Sequence, residues 1–272
     1  MIRNPMHAGT FYPRFEQQIK RQIEGWISKA ETPISSERAL GVILPHAGYM
    51  YSGECATLGI HSISQENIDS FIILHPSHQA NYFDFSVSPY QEYVNPLGNL
   101  ALNMELYNKI APEADQNIPL ILHQEEHSME IQLPILNYFF PQAKILPIMI
   151  GNQIPAVSKR LAEVLYETIY TSTERIVILC SSDLSHYHRA RTAEEMDGIL
   201  VKNVTALDPE HLWQDILHSN CEACGIGGIL ALLYYAQHYS NAKMKVVQYT
   251  HSGKVSGNDS QVVGYLSAKL YI

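Results

Sequence analysis

The chain of 272 residues is 46% apolar and 17% charged, a balance that excludes an intrinsically disordered protein. Its 18 basic and 27 acidic side chains give a net charge of −9 without any basic run, which excludes a nucleic-acid-binding surface and argues against a polyanion partner. No apolar run reaches the roughly 18 residues of a membrane helix, and Met1-Ile2-Arg3-Asn4-Pro5 is not the apolar stretch of a secretion signal, so a cytoplasmic protein away from membranes is expected.

In chain order, His7-Ala8-Gly9-Thr10-Phe11-Tyr12 comes first. It either lines a pocket through His7 or Tyr12 or is a structural turn that packs the N-terminus onto a sheet. Phe15, Ile19, Ile23, Trp26 and Ile27 recur at helical spacing and predict an amphipathic helix. Residues 39–44 and 70–74 are short apolar β-type runs. The first ends at Pro45-His46-Ala47-Gly48-Tyr49, where Gly48 permits a tight turn and His46 can project into a pocket. A loop histidine bonded to backbone is the plainer alternative. The second run ends at His75-Pro76-Ser77-His78, and either histidine can be the chemical one. Residues 83–100, interrupted by Pro89, Pro96 and Gly98, read as irregular or antiparallel β structure.

Glu125-Glu126-His127-Ser128-Met129-Glu130 is the densest polar cluster, placed before an apolar helix with Ile131, Leu133, Ile135 and Leu136. His127 and Glu130, three apart, share a helix face, and two carboxylates and an imidazole of this cluster can orient ligands or substrate. A charged first turn complementing the helix dipole is the competing reading. Pro134 either kinks this helix or marks its first turn. Strands follow at 144–150 and 175–180, with a helix over 155–170 between them. The second strand runs into Ser181-Ser182-Asp183-Leu184-Ser185-His186. A carboxylate beside an imidazole fixes its tautomer and raises its basicity, as a general base or ligand support requires. Ser182 and Asp183 also suit a helix N-cap. Neither Ser182 nor Ser185 stands in the glycine-flanked elbow of a serine hydrolase.

Helices are predicted over 191–205, 208–218 and 225–239, then strands over 244–250 and 261–270 around a loop at 252–259. Four cysteines are too few and too irregular for a disulfide framework. Cys221-Glu222-Ala223-Cys224 lacks the second pair of a structural zinc site. Cys224 precedes Gly225 and an apolar helix, where the dipole favours a thiolate, a soft ligand for iron(II), copper or zinc. An inert buried cysteine is the bland alternative, and Cys221 or Glu222 can take its place.

Short apolar strands alternating with helices predict a single α/β domain, with a mixed, mostly parallel central sheet and helices on both faces. Ligands of such sheets bind beyond the carboxyl ends of the strands. His46, His75 or His78, and Asp183 with His186 all follow strand ends, so they can converge.

Taken in order, the motifs at 7–12, 45–49, 76–78, 126–130, 181–186 and 224–225 resemble the Memo family over nearly the whole chain, as one Memo-like domain over 1–272. Ser252-Gly253 and Val263-Gly264-Tyr265 are similar to its prokaryotic branch. Memo proteins resemble class III extradiol dioxygenases, non-haem iron(II) enzymes with two histidines and a carboxylate on the metal and a histidine acid/base. The resemblance implies that fold. It further implies that His46 and His78 are metal ligands, that Cys224 takes the third place, that His186 is the acid/base and that Asp183 orients the cluster. His7, Tyr12, Tyr49, His127 and Glu130 are expected to line the pocket or support the ligands. A thiol where those enzymes hold a carboxylate changes metal preference and redox behaviour.

The expected activity is that of a metal-dependent, dioxygenase-like oxidoreductase acting on a small aromatic substrate, with iron(II) the first choice of metal and copper or zinc the others. Its alternatives are a non-catalytic module that binds a peptide or ligand in a vestigial pocket, and a zinc-assisted hydrolase. Radical-SAM and AMMECR-type proteins are partners implied by the resemblance alone.

Overall fold

Short runs of branched apolar residues that are buried along their length must lie in a sheet covered on both faces. The computed structural model, which describes residues 1–28, 30 and 37–272, places four such runs at the centre of the molecule. The chain begins with β1 (Ile2–Arg3), α1 (Glu16–Ile27), β2 (Ala39–Leu44), α2 (Tyr49–His61) and β3 (Ser70–Pro76). A second stretch holds β4 (Phe85–Val87), β5 (Glu92–Asn95), β6 (Gly98–Ala101) and α3 (Met104–Ile110). Next come α4 (Leu120–Glu125), α5 (His127–Glu130), α6 (Gln132–Phe139), β7 (Lys144–Ile150) and α7 (Pro155–Tyr170). The last part is β8 (Ile176–Ser181), β9 (His186–His188), α8 (Ala190–Thr205), α9 (Pro209–Leu217), α10 (Ile226–Ala236), β10 (Lys243–His251), α11 (Gly253–Ser256) and β11 (Val262–Tyr271).

The large sheet has the order β10-β11-β2-β8-β3-β7-β4, and β9 pairs with β11. Strands β2, β8, β3 and β7 run parallel in its middle. Antiparallel strands flank them, β11 and β10 on one side and β4 on the other. A small sheet, β1-β5-β6, joins the N-terminus to the middle stretch. Gly41 and Leu44, three apart on β2, point to opposite faces. A Cβ on Gly41 would overlap Leu232 of α10, and one on Gly59 of α2 would overlap Leu44, so the two helices cover opposite faces of the sheet. Buried apolar side chains from both sheets and the helices form one connected core. No described helix is long and apolar enough to cross a membrane.

Several local expectations change. The ladder with β7 carries β3 two residues past Leu74, pairing His75 with Met149, so His75 lies in a strand and not in a loop. Ser182 and Asp183 cap no helix, because β9 follows them. Residues 49–61, unassigned from sequence, form α2, which is buried at eight of its positions and so shows no amphipathic pattern. Pro134 is the third residue of α6, where its missing N–H has no intrahelical partner to lose. The loop at 252–259 contains one helical turn, closed by Gly257 at φ 71°.

Candidate metal centre

Because β8 lies between β2 and β3, the carboxyl ends of these three strands stand side by side. They deliver His46, the Ser181–Asp183 turn and His78 to one place. From the other direction, the N-terminus of α10 brings Cys224. Its approach depends on Gly225, where a Cβ would overlap the Ser181 carbonyl oxygen and press on Ser182. Three hydrogen bonds then hold the segment: Cys224 N to Asp183 O at 3.2 Å, Gly225 N to Ser182 Oγ at 2.9 Å and Gln153 Nε2 to Cys224 O at 2.7 Å.

One ligand atom each from His46, His78 and Cys224 lie within 4.8 Å of one another. Cys224 Sγ is 3.1 Å from His46 Nε2. The other ring nitrogen of His46 is 2.9 Å from Ser181 Oγ. That hydroxyl spends its single hydrogen on Ser128 O at 2.7 Å and accepts from Gln132 Nε2 at 3.0 Å. It can therefore only accept from His46, which carries its proton on Nδ1 and turns the Nε2 lone pair to the sulfur. Burial holds His46 well below the usual imidazole range, with the neighbouring rings of His127 and His78 adding to the effect. Burial, and then the Asp183 carboxylate, push the Cys224 thiol up despite its place before a helix N-terminus. The desolvation expected of a packed pocket outweighs the dipole. The metal-free pair is thus a neutral thiol facing a neutral imidazole, and a cation would take the place of the thiol proton. Two imidazoles and a sulfur, with His46 buried and the His78 side chain 36% exposed, make a donor set that fits a borderline or soft metal ion reached from the His78 side.

Asp183 acts on this cluster through the backbone. Its Oδ1 accepts from the amides of His46 at 2.7 Å and Ala47 at 3.2 Å, while its own N–H donates to Cys224 Sγ at 3.2 Å. Burial raises the Asp183 carboxyl, and those amides and the His186 ring oppose the rise. His186 is therefore an electrostatic neighbour of Asp183, and the carboxylate's hydrogen bonds go to the His46 loop. The His186 amide donates to Glu222 Oε2 at 3.2 Å, and Glu222 also pairs with His188 Nε2 at 3.0 Å. Glu222 thus braces β9. Cys221 is buried, with its thiol pushed up to about 12 by burial, and lies outside the cluster. His75 donates to or accepts from Ser128 Oγ at 3.1 Å inside the core, and burial pulls it down to about 3.

His127 belongs with the cluster. Its ring centroid is 4.6 Å from that of His78 and 5.4 Å from that of His46. Phe11 at 5.0 Å and His7 at 5.9 Å flank it. Beneath it sits Glu126, the first residue of the 126–130 motif, to which the sequence had given no role of its own. Burial raises its carboxyl, but hydrogen bonds from His127 and His78 outweigh this and hold it far below the usual carboxylate range.

Glu130 faces elsewhere. It forms a buried ion pair with Arg3 at 2.7 Å and accepts from Tyr12 Oη at 2.7 Å, Met6 N at 3.0 Å and His7 N at 2.8 Å. The guanidinium of Arg3 also donates to the carbonyls of His123, Gln124 and Glu126. The His-Ala-Gly-Thr-Phe-Tyr turn is thereby pinned onto the segment that carries Glu126 and His127. Tyr49 donates to Ile131 O at 2.9 Å. Tyr12 and Tyr49 line an open depression of about 400 Å³ between that turn, α1 and α2. Phe11 lines this depression and also packs on His127 of the cluster. Arg3 and Ser181 carry no local signal of their roles, since a terminal arginine and a strand-end serine are usually solvated; an acid directly before His127 was the one available clue to Glu126.

A family model described as Memo-like protein matches residues 3–269. Proteins named "MEMO1 family protein" are similar along their full length: one from Desulfurococcus amylolyticus at 32% identity, covering 99% of both chains, and one from Sulfurisphaera tokodaii at 34%, also covering 99% of both. A third, from Methanosarcina mazei, is 34% identical over 97% of each chain. A crystal structure of an uncharacterized protein, JW3007, from Escherichia coli K12 superposes with a TM-score of 0.49 and 11% identity, covering 85% of this chain and 99% of that one.

Proposed function

The chain belongs to the Memo-like family, and from that premise and the donor geometry we propose that it is a cytosolic metal-dependent oxidoreductase. In this reading His46, His78 and Cys224 hold iron(II), with copper as the other candidate, and the substrate is small and aromatic. The observation that carries it is the meeting of three ligand atoms within 4.8 Å from positions up to 178 residues apart. Bound iron would supply a site for dioxygen chemistry that no side chain offers alone.

The protein's own groups then have separate tasks. Ser181 keeps the Nε2 lone pair of His46 aimed at the centre, and Asp183 fixes the His46 loop through two amides. Burial of His46 keeps water from the inner side. His7, Phe11 and His127 form a ring-lined rim suited to a planar substrate. His186, beside Asp183, is the proposed proton carrier at its imidazole. Radical-SAM and AMMECR-type partners stay part of the proposal by family resemblance.

The test is anaerobic purification with iron(II) and metal analysis of the wild type, His46→Ala and Cys224→Ala. One metal per chain in the wild type, lost in both variants, with oxygen uptake on a catechol panel, is the expected result. Equal metal in all three proteins sinks the ligand assignment. The donor set suits zinc as well; bound zinc without oxygen uptake moves the reading to hydrolysis. Metal-independent peptide binding, measured by calorimetry with and without chelator, moves it to a binding module.

A further inference from the structure

We propose that Glu126 is the positioning residue of this centre, a single buried carboxylate that sets the tautomer and orientation of both His78 and His127. The proposal rests on the metal-binding reading above and deepens it. Glu126 is 1% exposed, and its carboxylate receives three hydrogen bonds and one further ion-pair contact. His78 N donates to Oε2 at 2.8 Å. Oε1 takes His78 Nδ1 at 2.9 Å and Ser128 N at 3.1 Å, and His127 Nδ1 faces it at 3.2 Å as an ion-pair contact. An ionised carboxylate has only acceptors, so each ring nitrogen that faces it must bring a hydrogen. Both imidazoles are thereby held with Nδ1 protonated, and the atom left free to bind or to carry a proton is Nε2. His46 reaches the same tautomer by another route, through the saturated hydroxyl of Ser181.

Ligand atoms of His78, Glu126 and His127 also lie within 4.8 Å of one another, which resembles a second cation position. The hydrogen bonds argue against it. A cation on Oε1 would displace the ring N–H groups and the Ser128 amide that Glu126 caps in the first turn of α5, and would leave a buried amide unpaired. Arg3 adds a backbone anchor by donating to Glu126 O at 3.0 Å, so the carboxylate is fixed from both its ends. Carboxylates that orient ligand histidines in this way typically alter metal affinity by roughly 10–100-fold.

Two measurements test the inference. Nitrogen-15 imidazole NMR of the metal-free wild type, assigned with His78→Asn and His127→Asn, should show Nδ1–H for both rings. An Nε2–H tautomer on either ring overturns the proposal, and this readout needs no Glu126 variant to fold. Cobalt(II) titration, followed by thiolate-to-cobalt absorption, should give one ion per wild-type chain. Glu126→Gln should keep that absorption while Kd rises roughly 10–100-fold, and Glu126→Asp should recover part of the loss. An unchanged Kd in Glu126→Gln, or a second wild-type cobalt that Glu126→Gln removes, overturns it. Failure of the underlying metal reading looks different: no wild-type cobalt at all, or absorption that Cys224→Ser leaves intact.

Discussion

Replacing Arg3 by Met tests whether a residue at the start of the chain holds the region under the candidate centre. The Arg3–Glu130 pair has no exposed side-chain surface on either partner. Removing the guanidinium leaves Glu130 buried without its cation and frees the carbonyls of His123, Gln124 and Glu126. Breaking a buried pair from one side costs about 3–5 kcal/mol. Unfolding entropy near 2.1 cal/mol/K per residue over 272 residues totals about 570 cal/mol/K, so the expected fall in Tm is about 5–9 °C. Arg3→Met/Glu130→Gln should be more stable than Arg3→Met alone, because the stranded charge is gone. Burial raises the Glu130 carboxyl, but Arg3, Tyr12 and two amides outweigh it and keep it below its ordinary value of 4.5. A depressed carboxylate stabilises the fold above its unfolded pKa and loses that stabilisation as pH falls through the folded one. The deficit of Arg3→Met should therefore be largest at neutral pH and shrink below pH 4.5. Calorimetry across that range is the assay. A Tm loss under about 2 °C at pH 7, with a double variant no more stable than the single, refutes the reasoning.

Tyr12→Phe removes one hydrogen bond to the Glu130 carboxylate and should cost roughly 1.5–3 kcal/mol in urea unfolding; no change would mean the latch is held by Arg3 and the amides alone. Gly225→Ala forces a methyl into the Ser181 carbonyl, so a loss of about 1–3 kcal/mol is expected together with weaker metal uptake, since Cys224 must move. Metal uptake equal to wild type would show that Cys224 does not depend on this close approach. Asp183→Ala strands the amides of His46 and Ala47 and should lower stability by about 1–3 kcal/mol for each, whereas Asp183→Asn keeps an acceptor and should lose much less. Equal Tm values for these two variants would contradict the proposed backbone role.

What could be read from the sequence was local. The apolar runs at 39–44 and 144–150 announce buried strands, and the helix over 155–170 coincides with α7, because side-chain periodicity is a property of neighbouring residues. The histidine motifs after β2, β3 and β8 and the cysteine before α10 were visible for the same reason. Helix α2 was not, since burial on several sides removes the polar face that a periodic pattern needs. Likewise, Glu130 looked like a partner for His127 on one helix turn, yet its carboxylate turns to Arg3, 127 residues away.

Membership of the family and the α/β class were therefore legible in residue order alone, which offered His46, His78 and Cys224 as candidate ligands but left His75, Cys221 and Glu222 open beside them. Only the tertiary structure decided that β8 slots between β2 and β3, which sets His46, Asp183 and His78 in one row and lets α10 bring Cys224 against them. It also decided that Glu126 lies beneath two of the histidines. Strand order and the pairing of buried charges depend on which distant surfaces exclude water together, and no local pattern of residues encodes that choice.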